Sequence, residues 1–110
     1  MKTKKLLVMC SFVDVYRQLV SEAFRYYDLL LYHCDVDGSE RREILLQALH
    51  YATRANTVYD CAFYVRINGL HANLLDIQAQ CRKYYGGFAN SSITMDDIVD
   101  EITKELEKGE

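Results

Sequence analysis

The stretch ILLQALHYATRANTVYDCAFYVRING, residues 44–69, decides how the chain folds. Within it Ile44 pairs with Ala48, Tyr51 with Ala55, Val58 with Ala62 and Val65 with Gly69, a unit that repeats every seven residues. Seven residues are close to two helical turns, so the small members fall on one line along a helix, where a second helix can approach closely. The spacing predicts a continuous helix that starts at Glu40 and runs past residue 56. Two other readings compete over residues 57–68. Thr57 and Asp60 could form a capping box that restarts a helix after Asn56. Alternatively, Tyr59, Cys61, Phe63, Val65 and Ile67 alternate with polar neighbours, the period of a half-buried strand over 58–67, which would make the fold α+β. The unbroken seam and the lack of a hairpin partner favour helix.

Working outward, Val13, Tyr16, Val20, Ala23, Phe24, Tyr27, Leu30, Leu31 and Cys34 recur in steps of three and four, which predicts a helix over about 12–34. Ser11 with Asp14 reads as its capping box. Residues 4–10 are too short a run for periodicity to choose between a helical extension and a strand. Asp35 to Ser39 reads as a turn, with Ser39 placed to cap the next helix. After Asn68-Gly69 the stripe Leu70, Leu74, Ile77, Cys81 and Tyr84 predicts a further helix that stops at Gly86-Gly87. Thr94 and Asp97 form a third candidate capping box ahead of Met95, Ile98, Val99, Ile102 and Leu106. That places an acidic C-terminal helix at about 95–108, with Asp96 and Asp97 near its positive end. The expected fold is all-α, a four- or five-helix bundle in one domain spanning 1–110.

Composition sets outer bounds. The chain has 110 residues, half of them hydrophobic, and no proline, so long helices meet few breakers. The net charge of -3 conceals an acidic end: seven of the sixteen acids and two of the thirteen bases lie in residues 94–110. The remaining body carries a small basic surplus, which supplies little of the phosphate attraction that nucleic-acid binding draws on. Cys10, Cys34, Cys61 and Cys81 contain no Cys-x-x-Cys pair and read as reduced thiols. Lys2 to Cys10 imitates an export signal, yet the apolar run is too short. No run approaches the ~18 apolar residues of a membrane span. The reading is of a cytoplasmic chain without a membrane partner.

Two strings resemble catalytic signatures. Asp35-Val36-Asp37-Gly38-Ser39 is similar to the opening motif of the haloacid dehalogenase-like phosphatases. The resemblance implies a parallel sheet, Asp35 as nucleophile, Asp37 as acid and base, and a magnesium held with help from Asp96, Asp97 or Asp100. Arg66-Ile67-Asn68-Gly69-Leu70-His71 resembles the Arg-x4-His signature of the HEPN ribonucleases, small helical bundles that cut RNA without metal. That resemblance implies that Arg66 stabilises charge on phosphorus, His71 acts as acid and base, and Asn68 assists. Ile67 stands where that family carries a polar residue. Cys61, His71 and Cys81 lack the spacing of a structural zinc site, and no residue set requires a cofactor.

Nine tyrosines remain to be explained. In Tyr26-Tyr27 and Tyr84-Tyr85 the neighbours point about 100° apart on a helix and cannot share one buried stripe. Tyrosine and arginine are common anchors at protein interfaces, which makes Arg25, Tyr26, Tyr84 and Tyr85 the candidate binding residues. The leading functional expectation is a non-catalytic binding or accessory protein, an adaptor, inhibitor or assembly subunit. Its partner is expected to be another protein or a second copy of the chain. A metal-independent ribonuclease is the second expectation, and a phosphatase the third.

Overall fold

The computed structural model describes residues 2–32, 38–84 and 92–108, and these form four helices and no strand. They are α1 (Lys2–Tyr32), α2 (Gly38–Val65), α3 (Leu70–Tyr84) and α4 (Met95–Lys108). The fold is a small helical bundle, and the strand readings at 58–67 and 4–10 give way to helix. The reason is visible at α2. A strand there would need a partner for its backbone groups and would bury every second residue. In the helix Ala62 is buried while Cys61 and Phe63 are exposed, and the backbone bonds close within the segment.

α1 and α2 form an antiparallel hairpin, since Tyr16 lies beside Tyr59 and Tyr26 beside Tyr51. The predicted seam holds. Ala48, Ala52 and Ala55 have no exposed surface and Ala62 retains 2%, so along this line small side chains let neighbouring helices approach α2 closely. Large residues of α1 fill the other side, chiefly Tyr16, Val20, Phe24 and Tyr27. Gly69 does not extend the seam, because α2 ends at Val65. Arg66 takes the left-handed conformation, φ 53°, that glycine usually supplies after a helix, and Gly69 follows at φ 81°. The Leu70 amide then bonds to the Ile67 carbonyl at 3.2 Å and α3 begins.

The helix boundaries correct two expectations at the N-terminal side. α1 starts at Lys2, so residues 4–10 are helical and Ser11 lies inside the helix instead of capping it. Thr57 likewise sits within α2, with its hydroxyl donating to the Thr53 carbonyl at 3.1 Å, a bond made by threonine in helix interiors. No restart occurs there. By contrast, the Thr94–Asp97 box is reciprocal: the Thr94 amide donates to Asp97 Oδ2 at 2.9 Å and the Asp97 amide to Thr94 Oγ1 at 3.3 Å. Residues 33–37 and 85–91, which include Cys34, Asp35, Asp37, Tyr85 and the two glycines at 86 and 87, lie outside the described residues.

The two shorter helices share one column along the hairpin. α3 packs mainly on α1 and only lightly on α2, joined to α1 through Arg17 with Gln80 at 3.2 Å and Ser21 with Cys81 at 3.3 Å. α4 packs mainly on α2, where Arg41 donates to Glu105 at 2.6 Å and Asn56 to Asp96 at 2.9 Å. Tyr27 of α1 donates to Glu101 of α4. One buried cluster draws on all four helices. Because α4 covers only the first part of α2, the last turns of α2 face α3 across an open groove.

A candidate binding groove between α2 and α3

The groove is set by helical spacing on both sides. Asn56, Tyr59 and Phe63 recur along α2, and His71, Leu75 and Gln78 along α3, so each set shares a face. At the turn end, the rings form a contact cluster. The His71 ring lies 3.7 Å from the Phe63 ring and 4.8 Å from that of Tyr59, and Tyr59 meets Phe63 edge-on at 5.9 Å. His71 Nε2 donates to the Tyr59 carbonyl at 3.2 Å, which fixes the imidazole across the turn. Phe63 stays 59% exposed and Tyr64 87%, and Val65 and Leu75 are also exposed. Three consecutive large apolar residues thus stand in solvent at one end of the bundle, and a partner that covered them would gain by removing apolar surface from water. Asp60, Phe63, Tyr64 and Arg66 line a shallow hollow there.

Farther along, the groove deepens into a cleft. Tyr16 and Gln78, both buried, form its floor, and Tyr59 and Leu75 its sides. Met95 and Asp96, at the start of α4, close the far end together with Asn56. A polar chain crosses the floor: Gln78 Nε2 donates to the Tyr16 hydroxyl at 2.7 Å, and Gln78 Oε1 accepts from the Met95 amide at 3.3 Å. One side chain therefore links α1, α3 and the N-terminus of α4. Burial pushes the Tyr16 phenol up to about 12 from its ordinary 10.0, outweighing the Gln78 bond, which acts in the opposite direction. The hydroxyl on the floor is neutral at any physiological pH.

The residues singled out from the sequence fall in different places. Arg66 and His71 flank the same turn, and Asn68 is exposed within it. Arg25 and Tyr26 line neither the hollow nor the cleft and are engaged with their own helix and with α2. The Arg25 guanidinium bonds to Glu22 at 2.6 Å and sits 4.3 Å above the Tyr26 ring, which stacks on Tyr51 at 5.8 Å. The Glu22 hydrogen bond holds the Arg25 pKa above its usual range. Tyr84, 83% exposed, stands at the end of α3. Among the described residues no cluster of His, Cys, Asp or Glu could hold a metal, and Cys10 and Cys61 are exposed thiols while Cys81 is buried. Among those residues, too, no helix is long and apolar enough to cross a membrane.

Reasoning from sequence missed the groove itself. Tyr59 and Phe63 stood in the string that was contested between helix and strand, and only the helical reading puts them on one face. Gln78 carried a legible signal: it falls four residues after Leu74 and three before Cys81, a polar residue on an apolar stripe. The chain matches no protein-family model, no curated protein and no solved structure.

Proposed function

We propose that the chain is a non-catalytic binding protein, an adaptor, inhibitor or assembly subunit, that docks on a protein partner through the α2–α3 groove and the aromatic end of α2. The observation that carries this reading is the exposed Phe63 ring, which packs on Tyr59 and His71 at the end of α2, with Tyr64 and Val65 also in solvent there and Leu75 exposed on α3. Exposed aromatic clusters of this kind supply the area that a partner can remove from water, and tyrosine and phenylalanine lose little rotamer freedom on burial. The experiment is affinity capture from native cells with the wild-type chain and with Phe63→Ser/Tyr64→Ser, both treated with nuclease. A partner retained by the first and lost by the second supports docking at this end. Equal retention by both refutes it.

A second reading, a metal-independent ribonuclease, is favoured by one placement: Arg66 and His71 border a single turn, with Arg66 lining the hollow beside Phe63 and His71 packed on the Phe63 ring. In that reading Arg66 would stabilise charge on phosphorus and His71, whose Nε2 proton is held by the Tyr59 carbonyl, would work through Nδ1. RNA degradation in EDTA that is lost in Arg66→Ala and in His71→Ala supports it, and an inert wild-type protein eliminates it. The phosphatase reading has no comparable support. Asp35 and Asp37 lie outside the described residues, and those described form none of the parallel sheet that the resemblance implies.

A further inference from the structure

We infer that the cleft at the far end of the groove is an anchor pocket for one arginine side chain of a protein partner, an inference that rests on the docking reading above and gives it a chemistry.

Size comes first. The cleft has a volume of about 170 Å³, well below the roughly 300–1,000 Å³ of pockets that enclose whole small molecules. It is the space of a single long side chain. The lining fixes which one. Leu75 and the Tyr59 ring offer apolar surface along the path from the groove, suited to a methylene stem. The half-buried Tyr59 ring, whose centroid lies 6.4 Å from that of the buried Tyr16, presents aromatic surface of the kind on which a guanidinium stacks. Asp96 is the one charged residue of the lining, and it is an acid. Asn56 donates to its Oδ1, a neutral amide that brings no counter-charge of its own.

A negatively charged guest is disfavoured by Asp96, and a purely apolar one would leave the carboxylate and Asn56 desolvated. A planar cation that can both stack on tyrosine and donate to a carboxylate satisfies every wall of the cleft. Tyr59 lines the cleft and meets Phe63 edge-on, so one partner surface can cover the aromatic end and place a basic residue in the cleft.

The test uses the full chain and two probes, a capped alanine-arginine-alanine tripeptide and its counterpart with neutral citrulline. Titrations are followed by amide NMR at the Gln78 side chain and the Met95 backbone, at low salt. The arginine probe is expected to shift both signals saturably and to bind about fivefold more tightly than the citrulline probe, the difference that one partly exposed ion pair makes. Asp96→Asn, which preserves the bond from Asn56, should erase that difference without disturbing signals elsewhere. No saturable shift, equal binding of the two probes, or an unaltered preference in Asp96→Asn each overturns the anchor. These outcomes are separate from those of the capture experiment. If Phe63→Ser/Tyr64→Ser loses its partner while the probes ignore the cleft, docking stands and the arginine anchor falls.

Discussion

Replacing Gln78 by methionine tests the polar chain on which the junction of three helices rests. The two side chains have similar length and volume, so packing is nearly conserved and the loss is chemical. Gln78 is 7% exposed and Tyr16 1%, so water cannot take over the abandoned groups. Two are left behind: the Met95 amide, which loses Gln78 Oε1, and the Tyr16 oxygen, which loses Gln78 Nε2. A buried polar group stripped of its partner costs about 1–3 kcal/mol, offset in part because the glutamine amide itself no longer needs burying. The expected net loss is about 2 kcal/mol, a fall in Tm of roughly 8–16 °C for a domain of this size. Tyr16→Phe strands only Gln78 Nε2 and should cost about 1 kcal/mol. In the double variant the Met95 amide is the sole orphan, so its loss should be no greater than that of Gln78→Met alone, a coupling of about 1 kcal/mol. Urea unfolding followed by far-UV circular dichroism measures all four proteins. If Gln78→Met lies within about 0.5 kcal/mol of wild type, or if the two single losses add, the chain of bonds does not hold the junction.

Four further expectations follow from named contacts. Ala52→Leu places three extra carbons in a seam with no exposed surface and should cost about 1–3 kcal/mol by overpacking, whereas Thr53→Leu on the exposed face next to it should stay within about 0.5 kcal/mol; thermal melts of the pair decide it. Thr94→Ala or Asp97→Ala removes one half of the reciprocal cap on α4 and should lower stability by about 1 kcal/mol, read from denaturant midpoints. Arg66→Gly relieves a left-handed arginine and should raise stability by about 1 kcal/mol, while Gly69→Ala, at φ 81°, should lower it by a similar amount. Tyr16 also predicts a pH dependence. Its folded pKa of about 12 exceeds the ordinary 10.0, so its contribution is intact below pH 10 and is lost as pH rises toward 12. The loss amounts to about 3 kcal/mol at most, and comparing Tyr16→Phe with wild type across alkaline pH should show it only in the latter.

The groove shows how far the docking reading depends on helix pairing. Its α2 side needed α2 to continue unbroken through Asn56, which brings Tyr59 and Phe63 onto one face. Its openness came from a choice made elsewhere, the packing of α3 on α1 instead of α2. Leu75 is exposed for that reason, although it lies beside the buried Leu74 in the chain. Arg25 and Tyr26 combine both levels. Arg25 stays exposed while paired with Glu22, three residues away, and Tyr26 stacks on Tyr51 of the next helix, contacts that depend on the hairpin pairing as well as on local spacing.

What the sequence determined by itself is the part of the protein governed by local periodicity. The alanine seam, the apolar stripes and the Thr94–Asp97 cap act over one or two helical turns, and the helices they predict are the helices that form. The start of α1 escaped that reading because Ser11 offers a capping side chain whether or not a helix end needs one. Only the tertiary structure decided which faces remained uncovered. α3 and α4 share one column beside a longer hairpin, and the place where one stops and the other begins leaves the end of α2 bare. Burial is a property of pairs of helices and not of either sequence stripe, so Gln78 could become the link between three elements, and Phe63 could be left in water, on stripes that look alike in the chain.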